Sequence, residues 1–232
     1  MTPALVVFDL DGTLLDTHVD LVESLNHTIA ALGLAPVGYD DLTHLVGHGA
    51  KVMIERACKL QGHPLEPEAL PPLLDRFIAH YSENMPGRTT PYPGLVSAMV
   101  QLRSSGYKLA VCTNKLEALA RTLLDQLKLT EYFDAITGGD TFAVRKPDAG
   151  HLLGTIQMAG GDPRRVLMIG DSANDILVAR NAGVPSIAVP FGYSDVPIET
   201  LEPTQIISHF SELTPELVES LIGGFVPSVS AH

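Results

Sequence analysis

The sequence predicts an α/β fold: a parallel sheet with helices on both faces, and a helical domain inserted after the first strand. Three observations carry the prediction. The apolar runs Leu5-Val6-Val7-Phe8, Leu109-Ala110-Val111-Cys112 and Val166-Leu167-Met168-Ile169 each break abruptly onto polar residues, as strands buried on both faces do. Helix-length stretches alternate with these runs, as in βαβ units. Residues 16–85 depart from that alternation and carry helical periodicity alone.

Taken in order, Ala4 to Phe8 reads as the first strand. In residues 16–85 one stripe runs Leu21, Leu25, Ile29 and Leu32, and another Leu70, Leu74, Phe77 and Tyr81, with a further helix beginning near Ala50. Gly87 and the turn Pro91-Tyr92-Pro93-Gly94 mark the return to the sheet. Helices are then expected over 95–105, stopped at Gly106, and over 117–127, 148–158 and 173–182, the last stopped at Gly183. Short strands are expected at 135–137, 186–189 and 205–207. The last ten residues, with Gly223-Gly224 and a Pro/Ser-rich end, read as a frayed tail. The division is therefore a Rossmann-like core of residues 1–15 and 86–232, and a helical domain of residues 16–85 hinged at 15–17 and 86–88.

At 232 residues, 45% hydrophobic and 18% charged, the chain can bury a substantial core. Its net charge of −12 repels nucleic acid and anionic membranes, so neither is an expected partner. An anionic substrate would need cations gathered locally. Cys58 and Cys112 lie in apolar surroundings and read as reduced core thiols. No apolar run approaches the ~18–20 residues that cross a bilayer, and a cytoplasmic location follows by default.

In open α/β sheets ligands bind beyond the carboxyl ends of the strands. The three runs deliver Asp9 and Asp11, Thr113 and Asn114, and Asp171 and Asp175 to that edge, and Lys146 follows the Gly138-Gly139-Asp140 turn at the same end. Any single aspartate at a strand end serves equally as a turn or helix cap; convergence from four elements points to a site. Clustered carboxylates repel unless a cation is present. Oxygen donors without cysteine or paired histidine suit a hard ion that keeps its waters, and magnesium fits.

Asp9-Leu10-Asp11-Gly12-Thr13-Leu14-Leu15-Asp16-Thr17 resembles the first motif of the haloacid dehalogenase-like superfamily. Thr113-Asn114-Lys115 resembles the second motif, Lys146-Pro147 the third, and Gly170-Asp171-Ser172-Ala173-Asn174-Asp175 the fourth, in order over essentially the whole chain. The resemblance implies that Asp9 attacks phosphorus and that Asp11 protonates the leaving alkoxide, then activates water. Thr113 and Lys146 would hold the phosphoryl oxygens, with Asn114 in support. It also implies a magnesium ion on the Asp9 carboxylate, the Asp11 carbonyl and Asp171, with Asp175 acting through water or by orienting the other ligands. Chemistry separates the branches of the family. A halide leaves without a proton and an alkoxide does not, so Asp11 favours phosphomonoester hydrolysis or phosphoryl transfer over dehalogenation.

The inserted helices resemble the family's cap, which closes over the site. Within it, Val46-Gly47-His48-Gly49-Ala50-Lys51 is a glycine-bracketed turn before a helix, where Gly47, His48 and Gly49 could receive a substrate carboxylate, or form an ordinary interhelical turn. His44 and His48 have the spacing of a zinc pair, but a glycine between them and the lack of a suitably spaced acid argue against zinc. His18 is either at the entrance to the site or on the exposed surface of the inserted helices. The glycine-bracketed turn, the Thr-Asn-Lys run, Gly138-Gly139-Asp140 and Phe191-Gly192-Tyr193 resemble the bacterial phosphoglycolate phosphatase branch. These features are shared with relatives acting on other small phosphates. The expected partner is thus a small phosphorylated substrate, and the chain a monomer or homodimer. The alternatives are a phosphosugar phosphatase, a β-phosphoglucomutase-like transferase, or a non-catalytic regulatory protein on the same scaffold.

Overall fold

The computed structural model describes residues 3–38 and 49–225. Its centre is a six-stranded sheet built from β1 (Leu5–Phe8), β4 (Lys108–Cys112), β5 (Ala135–Thr137), β6 (Val166–Gly170), β7 (Ser186–Ala188) and β8 (Gln205–Ile206). The strands lie in the order β5-β4-β1-β6-β7-β8 and every neighbouring pair is parallel. The chain thus winds outward one way from β1 and then crosses back to wind the other way. The reversal beside β1 opens a crevice beyond the strands' carboxyl ends, where such sheets hold ligands.

The three apolar runs are the three central strands, because both faces of each must be apolar. On β1, Val6 and Phe8 face one core and Leu5 and Val7 the other, the two-residue alternation of a pleated strand. Leu109 and Val111 of β4, and Leu167 and Ile169 of β6, join the first face. That face packs against α4 (Leu95–Ser104), α5 (Glu117–Gln126) and α8 (Pro215–Gly224) through residues such as Met99, Leu123 and Val218. The opposite face packs against α6 (Ala149–Met158) and α7 (Ala173–Ala182) through Leu152, Ile156, Val178 and Ala179. Among the described residues no helix is long and apolar enough to cross a membrane, and both cysteines are free and buried.

One expectation fails at the C-terminal end. Gly223 and Gly224 are the last turn of α8 and not part of a tail: Thr214 caps the helix by accepting from the Leu217 amide, and Val218 and Ile222 are buried. Burial of that apolar face outweighs the poor helix propensity of two glycines.

Between β1 and β4 lie α1 (His18–Ala30), α2 (Ala50–Leu60) and α3 (Leu70–Asn84). Leu21, Leu25 and Ile29 are buried as the first stripe predicts, while Leu32 falls beyond the end of α1. In the second stripe Leu73, not Leu74, shares the core face with Leu70, Phe77 and Tyr81; Leu74 turns toward the cavity described below. The chain leaves and re-enters the sheet region side by side, through β2 (Leu15–Asp16) paired antiparallel with β3 (Thr90–Pro91). Asp20, in the first turn of α1, locks the re-entry. Its carboxylate accepts from the Arg88 amide at 2.9 and 3.0 Å, the Thr89 amide at 2.8 Å and the Thr89 hydroxyl at 2.6 Å. Gly87 permits this approach: its φ is 54°, and a Cβ there would lie 2.3 Å from Asp20 Oδ1.

Candidate active site

Asp9 follows β1 directly, and its amide donates to the Ile169 carbonyl at 2.9 Å, continuing the ladder onto β6. The chain then turns tightly around the Leu10 carbonyl, which accepts from the amides of Thr13, Leu14 and Leu15. Gly12 sits in that turn at φ 82°, where a Cβ would come within 2.4 Å of Asp171 Oδ2. Only glycine allows the first loop to lie this close to the end of β6. Thr13 profits from the approach, donating from its hydroxyl to Asp171 Oδ1 at 2.8 Å.

The other motifs arrive at the same edge. Thr113 continues β4, its amide donating to the Thr137 carbonyl at 3.1 Å. Asn114 donates from its side chain to the Lys146 carbonyl at 3.1 Å, tying the β4 end to the loop that carries Lys146. Lys146 Nζ lies 2.8 Å from Asp9 Oδ1 and 2.5 Å from Asp175 Oδ1. Burial alone would weaken its charge, but the carboxylates of Asp175 and Asp9 overcome that and raise its pKa. Asp175 has both oxygens engaged. Oδ1 receives Lys146, and Oδ2 accepts from the Ser172 amide and hydroxyl, forming the capping box of α7. Its hydrogen bonds suit the orienting role.

Oxygens of Asp9, Asp171 and Asp175, all buried, lie within 4.8 Å of one another. Burial raises the Asp9 pKa to about 7 even against the opposing pull of Lys146, with Asp175 adding to the rise. Asp171 is likewise raised, by burial first and then by the charges of Asp175 and Asp9. Three carboxylates therefore share one ammonium. Asp9 Oδ1 is buried, with the Lys146 ammonium 2.8 Å away as its close partner. An all-oxygen donor set of three buried carboxylates, with more acidic groups than the one ammonium beside them, fits a hard divalent cation. Asp171 is already oriented for it, since Oδ1 accepts from Thr13 and Oδ2 from the Tyr193 amide at 2.7 Å.

Asp11 takes a different partner. Its carboxylate oxygens lie 3.1 and 3.4 Å from Lys115 Nζ, which also donates to the Tyr81 hydroxyl at 3.0 Å and sits 4.2 Å from the centre of that ring. Burial opposes the Lys115 charge, yet Asp11 and then Tyr81 raise its pKa. Neither Lys115 nor Tyr81 carries a role in the sequence reading. Lys115 stands within the Thr-Asn-Lys run and Tyr81 ends a helical stripe, but their contact joins residues 34 apart and needs α3 docked on the sheet. Tyr193 is a second such residue. Besides the amide that holds Asp171, its hydroxyl donates to Asp16 Oδ1 at 2.7 Å and accepts from the Thr17 amide at 2.8 Å. His18 is bonded to Asp16 at 2.5 Å and is not among the residues lining the cavity.

A cavity of about 230 Å³ opens over these groups. Its floor is Asp9, Asp11, Thr113, Asn114 and Lys115; its roof is Leu21, Met53, Leu74, Phe77, Ile78 and Tyr81 from the inserted helices. Gly49, Ala50 and Lys51, at the start of α2, together with Leu116, Leu119 and Arg145, complete the wall. Gly49 is the N-cap of α2 at φ 88°; Gly47 and His48, and with them His44, lie outside the described residues. A larger depression of about 490 Å³ beside Asn114 and Lys146 contains neither Asp9 nor Asp11, so the smaller cavity is the one at which the carboxylates can act.

A family model described as haloacid dehalogenase-like hydrolase matches residues 6–189. A phosphoglycolate phosphatase of Agrobacterium fabrum is 62% identical over 218 residues, covering 94% of this chain and 94% of that protein. One from Mesorhizobium japonicum is 50% identical over 222 residues, covering 96% and 98%. Among solved structures, a predicted phosphoglycolate phosphatase from Haemophilus somnus 129PT superposes with a TM-score of 0.85 at 28% identity, over 92% of this chain and 97% of that one.

Proposed function

The chain belongs to the haloacid dehalogenase-like hydrolase family and is a phosphatase, and we propose that it hydrolyses 2-phosphoglycolate to glycolate and phosphate through an aspartyl-phosphate on Asp9. The observation that carries the proposal is the separation of two aspartates on one loop. Asp9 sits among the carboxylates beside Lys146, while Asp11 faces the cavity beside Lys115. In this reading Asp9 bonds phosphorus and Asp11 reaches the leaving oxygen.

Asp9 contributes a carboxylate oxygen to phosphorus as the bond from phosphorus to the glycolate oxygen breaks. Asp11 gives that oxygen a proton, and glycolate departs. A water then attacks phosphorus, losing its proton to Asp11, and the Asp9 carboxylate is released with inorganic phosphate. Lys146 and Thr113 hold the phosphoryl oxygens through the charge changes. Magnesium, held by Asp9, Asp171 and the Asp11 carbonyl, would supply positive charge against the dianionic phosphoryl group.

The small cavity, roofed by apolar side chains, suits a compact ester. In this reading residues 16–85 act as a cap that opens and closes on the β2–β3 ribbon. The start of α2, with Gly49 and Lys51 at the cavity wall, favours an anion near the leaving group. The partner is the small phosphorylated substrate, and a net charge of −12 disfavours nucleic acid and anionic membranes. Two free buried thiols suit the cytoplasm. The test is phosphate release from 2-phosphoglycolate against a panel of sugar phosphates. A kcat/KM highest for 2-phosphoglycolate is expected; a higher value for a sugar phosphate, or transfer of phosphate back to the sugar, would replace this reading with the phosphosugar or mutase one.

A further inference from the structure

We propose that Lys115 recognises the substrate carboxylate, exchanging Asp11 for it, with Tyr81 holding the ammonium in place from the inserted helix α3. The assignment rests on the 2-phosphoglycolate reading and names the residue that selects for it.

The cations around the cavity have different commitments. Lys146 is buried between Asp9 and Asp175. Arg145 and Lys51 stand exposed at the wall. Lys115 is the buried ammonium whose counterion is Asp11, the side chain that must turn to the leaving oxygen. In 2-phosphoglycolate the carboxylate is one methylene beyond that oxygen. A substrate whose ester oxygen meets Asp11 therefore brings its carboxylate beside whatever neighbours Asp11, and that neighbour is Lys115, 3.1 Å away.

The energetics favour the exchange for an acid and oppose it for a neutral alcohol. An ammonium has three N–H donors, and here they meet Tyr81 at 3.0 Å and the Asp11 oxygens at 3.1 and 3.4 Å. The 3.4 Å contact is long for such a bond and is the one most readily given up. When Asp11 swings to the ester oxygen, buried Lys115 loses its counterion, which is costly for a buried charge. A substrate carboxylate restores the pair; an ethyl or sugar leaving group does not. Leu74, Phe77 and Leu119 line the same cavity as Lys115, and among the described lining cations Lys115 is the buried one, while Lys51 and Arg145 are exposed. The Tyr81 hydroxyl makes the arrangement depend on α3 being docked.

The experiment compares kcat/KM for 2-phosphoglycolate and for ethyl phosphate, which differs by lacking the carboxylate, in the wild type and in Lys115→Met, Lys115→Arg and Tyr81→Phe. Losing a charge-assisted hydrogen bond at a buried ammonium should lower the preference for 2-phosphoglycolate by roughly 30- to 100-fold in Lys115→Met, chiefly through KM. Tyr81→Phe should lower it by about 3- to 10-fold, and Lys115→Arg should recover part of what Lys115→Met loses. Residual ethyl phosphate turnover reports that Lys115→Met is folded; if that variant is inactive on both esters, Tyr81→Phe and Lys115→Arg decide. Equal losses on the two esters in the folded variants would overturn the assignment and leave the phosphatase intact. A wild type with no preference for 2-phosphoglycolate over ethyl phosphate would overturn the proposed substrate and the assignment together.

Discussion

The Thr13 hydroxyl donates to Asp171 Oδ1 at 2.8 Å, joining the turn after β1 to the end of β6 across 158 residues. It orients a carboxylate that burial and neighbouring charge make reluctant to ionise, and under the proposed function that carboxylate would be a magnesium ligand.

Thr13→Val keeps the shape and removes the donor. Apparent magnesium affinity should fall about 10- to 100-fold, as when a partner of a metal ligand is lost, with a stability cost of about 1–3 kcal/mol. Activity titrated against magnesium, with denaturant melts alongside, measures both. An unchanged magnesium midpoint would remove Thr13 from the metal site.

The acid role proposed for Asp11 predicts a leaving-group signature. Asp11→Ala should lower turnover of an alkyl phosphate by about 10²- to 10⁴-fold, and that of p-nitrophenyl phosphate, whose leaving group needs little protonation, far less. Equal losses on the two substrates would count against Asp11 as the acid.

The cluster also sets a pH dependence. Asp9, raised to about 7 from an unfolded value near 3.8, binds more protons folded than unfolded across that interval. In metal-free protein its contribution to stability is complete below pH 3.8 and is lost as pH rises toward 7. Magnesium competes with those protons, so the rise in Tm on adding it should grow from pH 5 to pH 7.5. Chelation should abolish turnover and magnesium restore it. A magnesium-induced shift equal at both pH values, or full activity in excess EDTA, would contradict this account of the cluster.

Asp20 makes a structural prediction away from the chemistry. Asp20→Ala strips the acceptor from the Arg88 amide and from the amide and hydroxyl of Thr89, leaving partly buried donors unpaired. A loss of about 2–4 kcal/mol in urea denaturation is expected. A loss under about 0.5 kcal/mol, the size of an ordinary surface substitution, would show that the re-entry does not depend on it.

Much of this protein was legible in its residues because the signals are local. Strands buried on both faces must be unbroken apolar runs, so β1, β4 and β6 could be read within a residue or two, and with them the edge carrying Asp9, Thr113 and Asp171. Helix ends at Gly106 and Gly183 followed from left-handed glycines at φ 87° and 68°. Where two registers were equally apolar the reading slipped, choosing Leu74 over Leu73 on α3. It slipped again where a tertiary surface rescued a poor helix former, at Gly223-Gly224.

What the sequence determined by itself was the fold class, the helical insertion and which residue types reach the sheet edge, since periodicity and turn chemistry act between near neighbours. Tertiary structure alone decided the pairings: Lys115 with Asp11 and Tyr81, Tyr193 with Asp16, Asp20 with Thr89, and Lys146 between Asp9 and Asp175. A side chain's partner depends on how separately formed elements pack, and residues 29 to 177 positions apart leave no periodic trace of the meeting.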